Sequence, residues 1–191
     1  MEKIIRQFKV KRGEKEIIYP FTTFSCVFDA EKLPASPNRT LQEYLREIFM
    51  SGVPSGERNS VSDLSQLIVE TVKQESDLVE LARKANYRGL RNKQHECVQN
   101  YLMDNDPHTI AMEIPVWDMF TLGHIDHIRI TGEKIGVWDF KPLAHKETKA
   151  GGQVLRYISM LTKQLDLPLR LFEGGYYDDS NCYLIKLYNY A

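Results

Sequence analysis

An α/β fold is predicted by two features of the chain. The hydrophobic period switches from helical to strand-like at Thr109, and three strand-like runs then follow with very short connections. TIAMEIPVW, LGHIDHIRI and KIGVWDF can be linked that tightly only as an antiparallel meander. A helix before the meander, a helix after it and a closing strand pair give an order in which helices pack on a sheet.

The elements can be justified in chain order. KIIRQFKVKRGEKEIIY carries strand-like runs on either side of a Gly13 turn and predicts a peripheral hairpin. After LPASPN the pattern turns helical. Thr40 with Glu43 forms a capping box ahead of LQEYLREIFM, and Asp77 with Glu80 forms another ahead of LVELARKA. Between them VSDLSQLIVETVKQ sets Val61, Leu64, Leu67, Ile68 and Val72 on one helical face, while SGVPSGERNS reads as an exposed loop. A further helix is expected from about Leu90 to Met103, ending before Asn105 and Pro107. AGGQVLRYISMLTKQL is the helix after the meander, and LRLFEGGYYDD and NCYLIKLYNY supply the last two strands. Residues 1–88 thus form a hairpin and a mainly helical lobe, and 89–191 the core, in one compact unit.

Composition narrows the class. The 191 residues are 42% hydrophobic and 27% charged, which describes a soluble globular protein. No apolar run approaches the ~20 residues of a membrane span, and no apolar segment follows the charged start, so a cytoplasmic protein is expected. Cys26, Cys97 and Cys182 are odd in number and dispersed, which suggests neither a disulfide framework nor a metal knuckle. A formal net charge of −1 argues against a wholly basic DNA-coating protein but permits a local basic groove.

The meander can be read residue by residue. In TGEK, Gly132 suits the positive-φ first position of a type II′ turn, which pairs Thr131 with Lys134. Counting back along both strands places Asp126 opposite Asp139 and His124 opposite Lys141. If Trp117 pairs with Leu122 across WDMFTL, Glu113 stands beside Asp126. Glu113, Asp126 and Asp139 then form a row across three strands, with Lys141 on the face of Asp139. Ile128, Ile130, Ile135 and Val137 share that face and mark it as inward. Carboxylates packed together in a buried row repel, and hard oxygen ligands of this kind suit Mg²⁺ or Mn²⁺.

These residues resemble the PD-(D/E)xK nuclease superfamily, in particular its RecB-like and phage-exonuclease-like branch. The resemblance runs from about residue 88 to residue 190. It comprises Gly123 to Asp126, a hairpin, Asp139-Phe140-Lys141, a helix carrying Gln153 and Tyr157, and an upstream helix with His95 in KQHECVQNYL. Pro142 departs from the small polar residue that is commoner after the lysine. The resemblance implies a restriction-endonuclease-like core of helix, three-strand antiparallel meander, helix and further strands. It also implies Mg²⁺- or Mn²⁺-dependent hydrolysis of DNA phosphodiesters, with processing of single-stranded or duplex ends favoured over sequence-specific cutting.

On that reading Asp126, Asp139 and Lys141 are catalytic. Asp126, Asp139, the Phe140 carbonyl and His95 would surround the metal, with Glu96 or Glu113 able to replace His95. Lys141 would orient or deprotonate a water, or stabilise charge on the phosphate. Gln153, Tyr157, Arg156, Lys146 and Arg91 would meet DNA, and Arg83, Lys84, Arg88 and Lys93 would add to a phosphate groove. No iron-sulfur cluster is expected from three dispersed cysteines. Two other classes compete: an inactive nuclease-fold subunit that binds DNA or assembles with partners, and a zinc hydrolase built on His124, Asp126 and His127.

Overall fold

The computed structural model describes the backbone of residues 3–12, 15–24, 35–51, 59–60, 69–90 and 93–187, and the side chains of 39–48, 69–90 and 93–187. The fold is α/β, built on one mixed sheet in the order β1-β2-β5-β6-β7-β8-β9-β4, with β3 paired to β6. Strands β1 (Lys3–Arg12) and β2 (Lys15–Phe24) form the expected hairpin. It is no separate appendage, because Thr22 and Thr23 of β2 pair with Met112 and Ala111 of β5 (Thr109–Trp117). The first 88 residues also contribute β3 (Asn59–Ser60) and β4 (Thr71–Gln74), so among the described residues they are as much strand as helix.

Three local expectations need correction. Helix α1 (Ala35–Ser51) begins ahead of Thr40, which lies inside it, and Glu43 pairs with Arg39 at 3.1 Å instead of closing a box. Pro37 permits the earlier start, since the first-turn amides of a helix have no intrahelical acceptor to lose. Helix α2 (Asp77–Lys84) is capped by Ser76, whose Oγ accepts the Leu78 amide at 3.2 Å, one residue before the expected cap. The third correction is larger. Thr71–Gln74 is the strand β4, paired antiparallel to β9 (Cys182–Ile185), where a helix was expected. A free sheet edge offers β-branched Thr71 and Val72 ladder bonds that outweigh their helical spacing. Val61, Leu64, Leu67 and Ile68 lie outside the described residues.

Helix α3 (Gln94–Asn105) starts later than expected and runs two residues past Met103 to include Asn105, ending ahead of Pro107. The meander is as read: β6 (Thr121–Thr131) pairs with β5 and with β7 (Lys134–Phe140), Thr131 faces Lys134, and Gly132 has φ 59°. Helix α4 (Ala150–Leu165) then crosses over to β8 (Phe172–Tyr177), which lies parallel to β7, and β9 returns antiparallel.

Both faces of the sheet are covered. On one, Leu45 and Ile48 of α1 and Val154, Ile158 and Leu161 of α4 pack on Ile128, Ile130, Ile135 and Val137. On the other, Leu78, Ala82, Val98 and Leu102 of α2 and α3 pack on Met112, Trp138, Phe140 and Tyr177. Each such aliphatic residue stabilises by roughly 1.5–3 kcal/mol on full burial. This explains why every residue of β7 from Ile135 to Phe140 is buried, a pattern proper to a central strand. The glycines of FEGGYY permit two close approaches: a Cβ on Gly174 would stand 2.8 Å from Ile158 Cδ1 of α4, and one on Gly175 would stand 1.9 Å from the Tyr183 carbonyl oxygen of β9.

A buried ion cluster ties the second helical layer to the sheet. Arg129 bonds Asp106 at the end of α3 (Nε–Oδ2 2.8 Å) and Asp77 at the start of α2 (Nη2–Oδ2 2.6 Å). Asp106 also accepts Thr109 Oγ1 at 2.5 Å, leaving the Thr109 oxygen to meet His127 Nε2 at 2.8 Å, while Tyr177 Oη meets His127 Nδ1 at 3.3 Å. Because the Thr109 hydroxyl donates its hydrogen bond to Asp106, its oxygen accepts from His127 Nε2–H, and Nδ1 accepts from Tyr177. Every member of the chain is thereby satisfied.

Candidate active site

The site begins where two strands part. The β6–β7 ladder runs from Thr131↔Lys134 to His127↔Trp138 and stops one residue short of Asp126 and Asp139. Beyond that point β6 pairs with β3 through Thr121 and Leu122, and β7 continues beside β8. Asp126 Oδ2 accepts the Phe140 amide at 3.1 Å, so the carboxylate itself bridges the two strands. The expected register is therefore correct, and the acids occupy a fork in the sheet.

The Glu113 register is also correct, though the backbone there is not regular. Met112↔His127 and Ile114↔Ile125 bracket a Glu113 whose φ is 54°, a left-handed value uncommon outside glycine. Ala111 and Ile114, three apart, pack in the same apolar cluster, as do Ile125 and Ile128. An odd separation on one side means that the in-out alternation shifts phase at Glu113 and Asp126. The single inward row expected from strict alternation is thus broken here. Instead Asp126 meets His95 Nδ1 at 3.3 Å and Glu113 meets His124 Nδ1 at 3.5 Å. Gln99, one helical turn beyond His95, donates to Glu113 Oε1. A backbone held in this region costs about 1–3 kcal/mol, which the α3 contacts help to offset.

Asp139 has the most demanding environment. It is buried, and neither carboxylate oxygen accepts a hydrogen bond among the described residues. Lys141 Nζ lies 2.8 Å from Oδ2, at ion-pair distance but off the line of a hydrogen bond. Burial and then the charge of Asp126 push the Asp139 carboxyl well above the ordinary carboxylate range, against the pull of Lys141. For Asp126 burial acts upward too, but hydrogen bonds from His95 and with Asp139, and the His95 and Lys141 charges, bring it below its usual value. The two carboxyls thus titrate as a pair holding one proton between them. Burial alone would discharge Lys141, yet Asp139 and Asp126 reverse this and raise it, so the ammonium is charged at neutral pH.

Tyr157, expected to meet DNA, is buried, and its hydroxyl accepts from Gln153 Nε2 at 2.6 Å. Burial first and the Asp139 charge second raise its pKa, so it stays a neutral phenol beside the acids. The same helix carries Arg156, which instead bonds Asp118 Oδ2 at 2.7 Å in the β5–β6 turn. Lys146 is exposed after β7, and Glu96 is exposed on α3. Arg91 lies outside the described residues. Much of the expected basic groove is engaged within the chain: Arg83 and Lys84 pair with Glu80, and Arg88 pairs with Asp179. The zinc arrangement loses its geometry, since Thr109 and Tyr177 occupy both ring nitrogens of His127.

Sequence reading missed Gln99 and Arg129. Gln99 carried a signal, its spacing of one turn from His95 on α3, whereas Arg129 pairs with acids on distant elements and carried none. Among the described residues no three His, Cys, Asp or Glu side chains form a ready metal cage. The donor set nevertheless suits a hard cation, because two adjacent buried carboxyls repel and the Asp139 oxygens lack a well-aligned donor, a repulsion that a divalent ion would offset. No helix among the described residues is long and apolar enough to cross a membrane. No protein-family model, curated protein or solved structure matches the chain.

Proposed function

We propose that this protein is a metal-dependent nuclease that hydrolyses DNA phosphodiester bonds, with a PD-(D/E)xK site on a restriction-endonuclease-like core. Processing of ends is favoured over sequence-specific cutting. The observation that carries the reading is the Asp126–Asp139 pair at the sheet fork, buried and mutually repulsive, with the Lys141 ammonium beside it.

Asp126 and Asp139 would hold Mg²⁺ or Mn²⁺, with the Phe140 carbonyl and His95 or Glu113 adjoining. Such a cation, when bound, polarises a phosphate and lowers the pKa of a coordinated water. The chain's own residues supply the rest. His95 fixes the Asp126 carboxylate from α3, and Gln99 fixes Glu113. Lys141, held protonated by its acidic neighbours, is suited to stabilise charge developing on the phosphate and not to act as a base in this state. Gln153 and Tyr157 close the α4 side with neutral hydrogen-bonding groups.

The test is a time course on labelled single-stranded, double-stranded and closed circular DNA with Mg²⁺ or Mn²⁺. Cleavage by the wild type, lost in Asp139→Ala, is the result expected. Intact DNA in every arm overturns the reading, and binding without cleavage would select the non-catalytic subunit.

A further inference from the structure

The β5–β6 turn is an unusual surface for its position. Turn tips favour Gly, Asn, Asp and Ser. Here Met119 and Phe120 occupy the tip, 79% and 67% exposed, the two most exposed large apolar side chains among the described residues. The turn is fastened from beneath. Asp118 Oδ1 accepts the Phe120 amide at 2.8 Å, the Thr121 amide at 2.7 Å and Thr121 Oγ1 at 2.8 Å, while Oδ2 takes Arg156 of α4. Its two apolar side chains are therefore displayed on a tied backbone.

Register places this tip beyond the end of β7, the strand that carries Asp139. Phe140, the last residue of β7, is level with Ile125, so Thr121 to His124 and the turn before them project beyond the end of β7. Six residues of strand separate Phe120 from Asp126, about 20 Å at the rise of an extended chain. Helix α4 runs alongside. Lys149 at the N-cap, Arg156 and Lys163 recur at seven-residue spacing, about 20° apart per step along the helix, with Arg156 held by Asp118. Lys149 and Lys163 are exposed, and Gln153 bonds Tyr157 beside the acids.

We infer that the Met119–Phe120 turn is a stacking platform for an unpaired nucleobase, with the exposed Lys149 and Lys163 at the two ends of α4 available to its phosphates. This rests on the nuclease reading and specifies its substrate as a single-stranded segment or a frayed end. Cations beside an exposed aromatic form the combination that holds single strands, since every base presents a π-face and every linkage a negative charge. A lipid surface or a second copy of the chain would use the apolar tip without needing these lysines.

The test uses the full chain in EDTA, with fluorescein-labelled oligothymidylate and a blunt duplex of equal length read by anisotropy. Phe120→Ala should weaken oligothymidylate binding about tenfold and duplex binding much less. Phe120→Trp should restore affinity, and its emission should be quenched by the oligonucleotide. Phe120 is exposed, and an unchanged thermal melt checks that the alanine variant is folded. The inference is overturned by equal affinities of wild type and Phe120→Ala, by equal losses on both DNAs, by absence of binding or by an unquenched tryptophan. Phe120-dependent sedimentation with anionic vesicles, or Phe120-dependent dimerisation, would likewise overturn it. Hydrolysis of bis(p-nitrophenyl) phosphate by the wild type with Mn²⁺ reads the acid pair separately. Hydrolysis with Phe120-independent DNA binding sinks the platform alone, and Phe120-dependent binding without hydrolysis or DNA cleavage supports the platform while sinking the nuclease reading.

Discussion

Lys141 Nζ lies 2.8 Å from Asp139 Oδ2, an ion pair that does not offset the burial of Asp139 and the Asp126 charge beside it. A buried carboxylate in that position destabilises the fold that contains it. This single relationship makes stability and chemistry at the site oppose each other.

The first prediction follows directly. Asp139 has a raised folded-state pKa, so its favourable contribution is complete below the ordinary carboxylate value and is lost as pH rises through the folded value. At neutral pH and without metal, Asp139→Asn should therefore stabilise the protein by roughly 1–2 kcal/mol, removing a buried charge that Asp126 opposes. For a chain of this size that is about 2–4 °C per kcal/mol in Tm. Mn²⁺ should raise the Tm of the wild type and not that of the variant. A lower melting temperature for Asp139→Asn in EDTA would contradict the assignment.

Lys141→Met retains stem volume and removes the charge. It should lower DNA cleavage at least a hundredfold, the scale of losing one preorganised charge-stabilising group. The measurement is an initial rate at saturating Mg²⁺, and a variant within threefold of wild type would exclude the catalytic role.

Arg129 is structural. Its side chain is 4% exposed against an Asp106 side chain at 1%, so Arg129→Ala leaves a buried carboxylate without its cation. The expected loss is about 3–5 kcal/mol, measured by urea unfolding. Asp77 is 61% exposed, and Asp77→Ala should cost far less.

His127 gives a pH dependence of defined sign. Burial first, then the neighbouring Arg129 charge, lowers its pKa to about 3. The unfolded chain takes up a proton below about pH 6.5 that the folded chain refuses, so stability should fall as pH drops from there toward 3. The slope from this one group approaches about 1.4 kcal/mol per pH unit. Asp77 and Asp106, both lowered, act in the same direction at the acid end. The difference between wild type and His127→Gln across pH 4 to 7 isolates the histidine, and parallel curves would remove it from the account.

What the sequence revealed and what it concealed divide by range. The Gly132 turn fixed the β6–β7 register because a two-residue hairpin leaves no freedom in pairing, and Asp126 and Asp139 could be set face to face by counting. The phase shift at Glu113 was not countable: alternation assumes an unbroken pleat, and nothing in MEIP announces a left-handed residue. Strand β4 was misread because its partner is β9, more than a hundred residues away, and local periodicity carries no information about a distant edge. Arg83 and Arg88 looked available for phosphate for the same reason, since Asp179 reaches them from the far end of the chain.

The sheet order has a further consequence for solubility. Its outer strands are β1 and β4, and an outer strand presents unpaired amides and carbonyls that can recruit another chain. β1 carries Lys3, Arg6, Lys9, Lys11 and Arg12 in KIIRQFKVKR, and β4 spans only four residues with an exposed Lys73. Among the described residues, the basic sequence of β1 and the brevity of β4 discourage edge-to-edge growth at the two margins of the sheet.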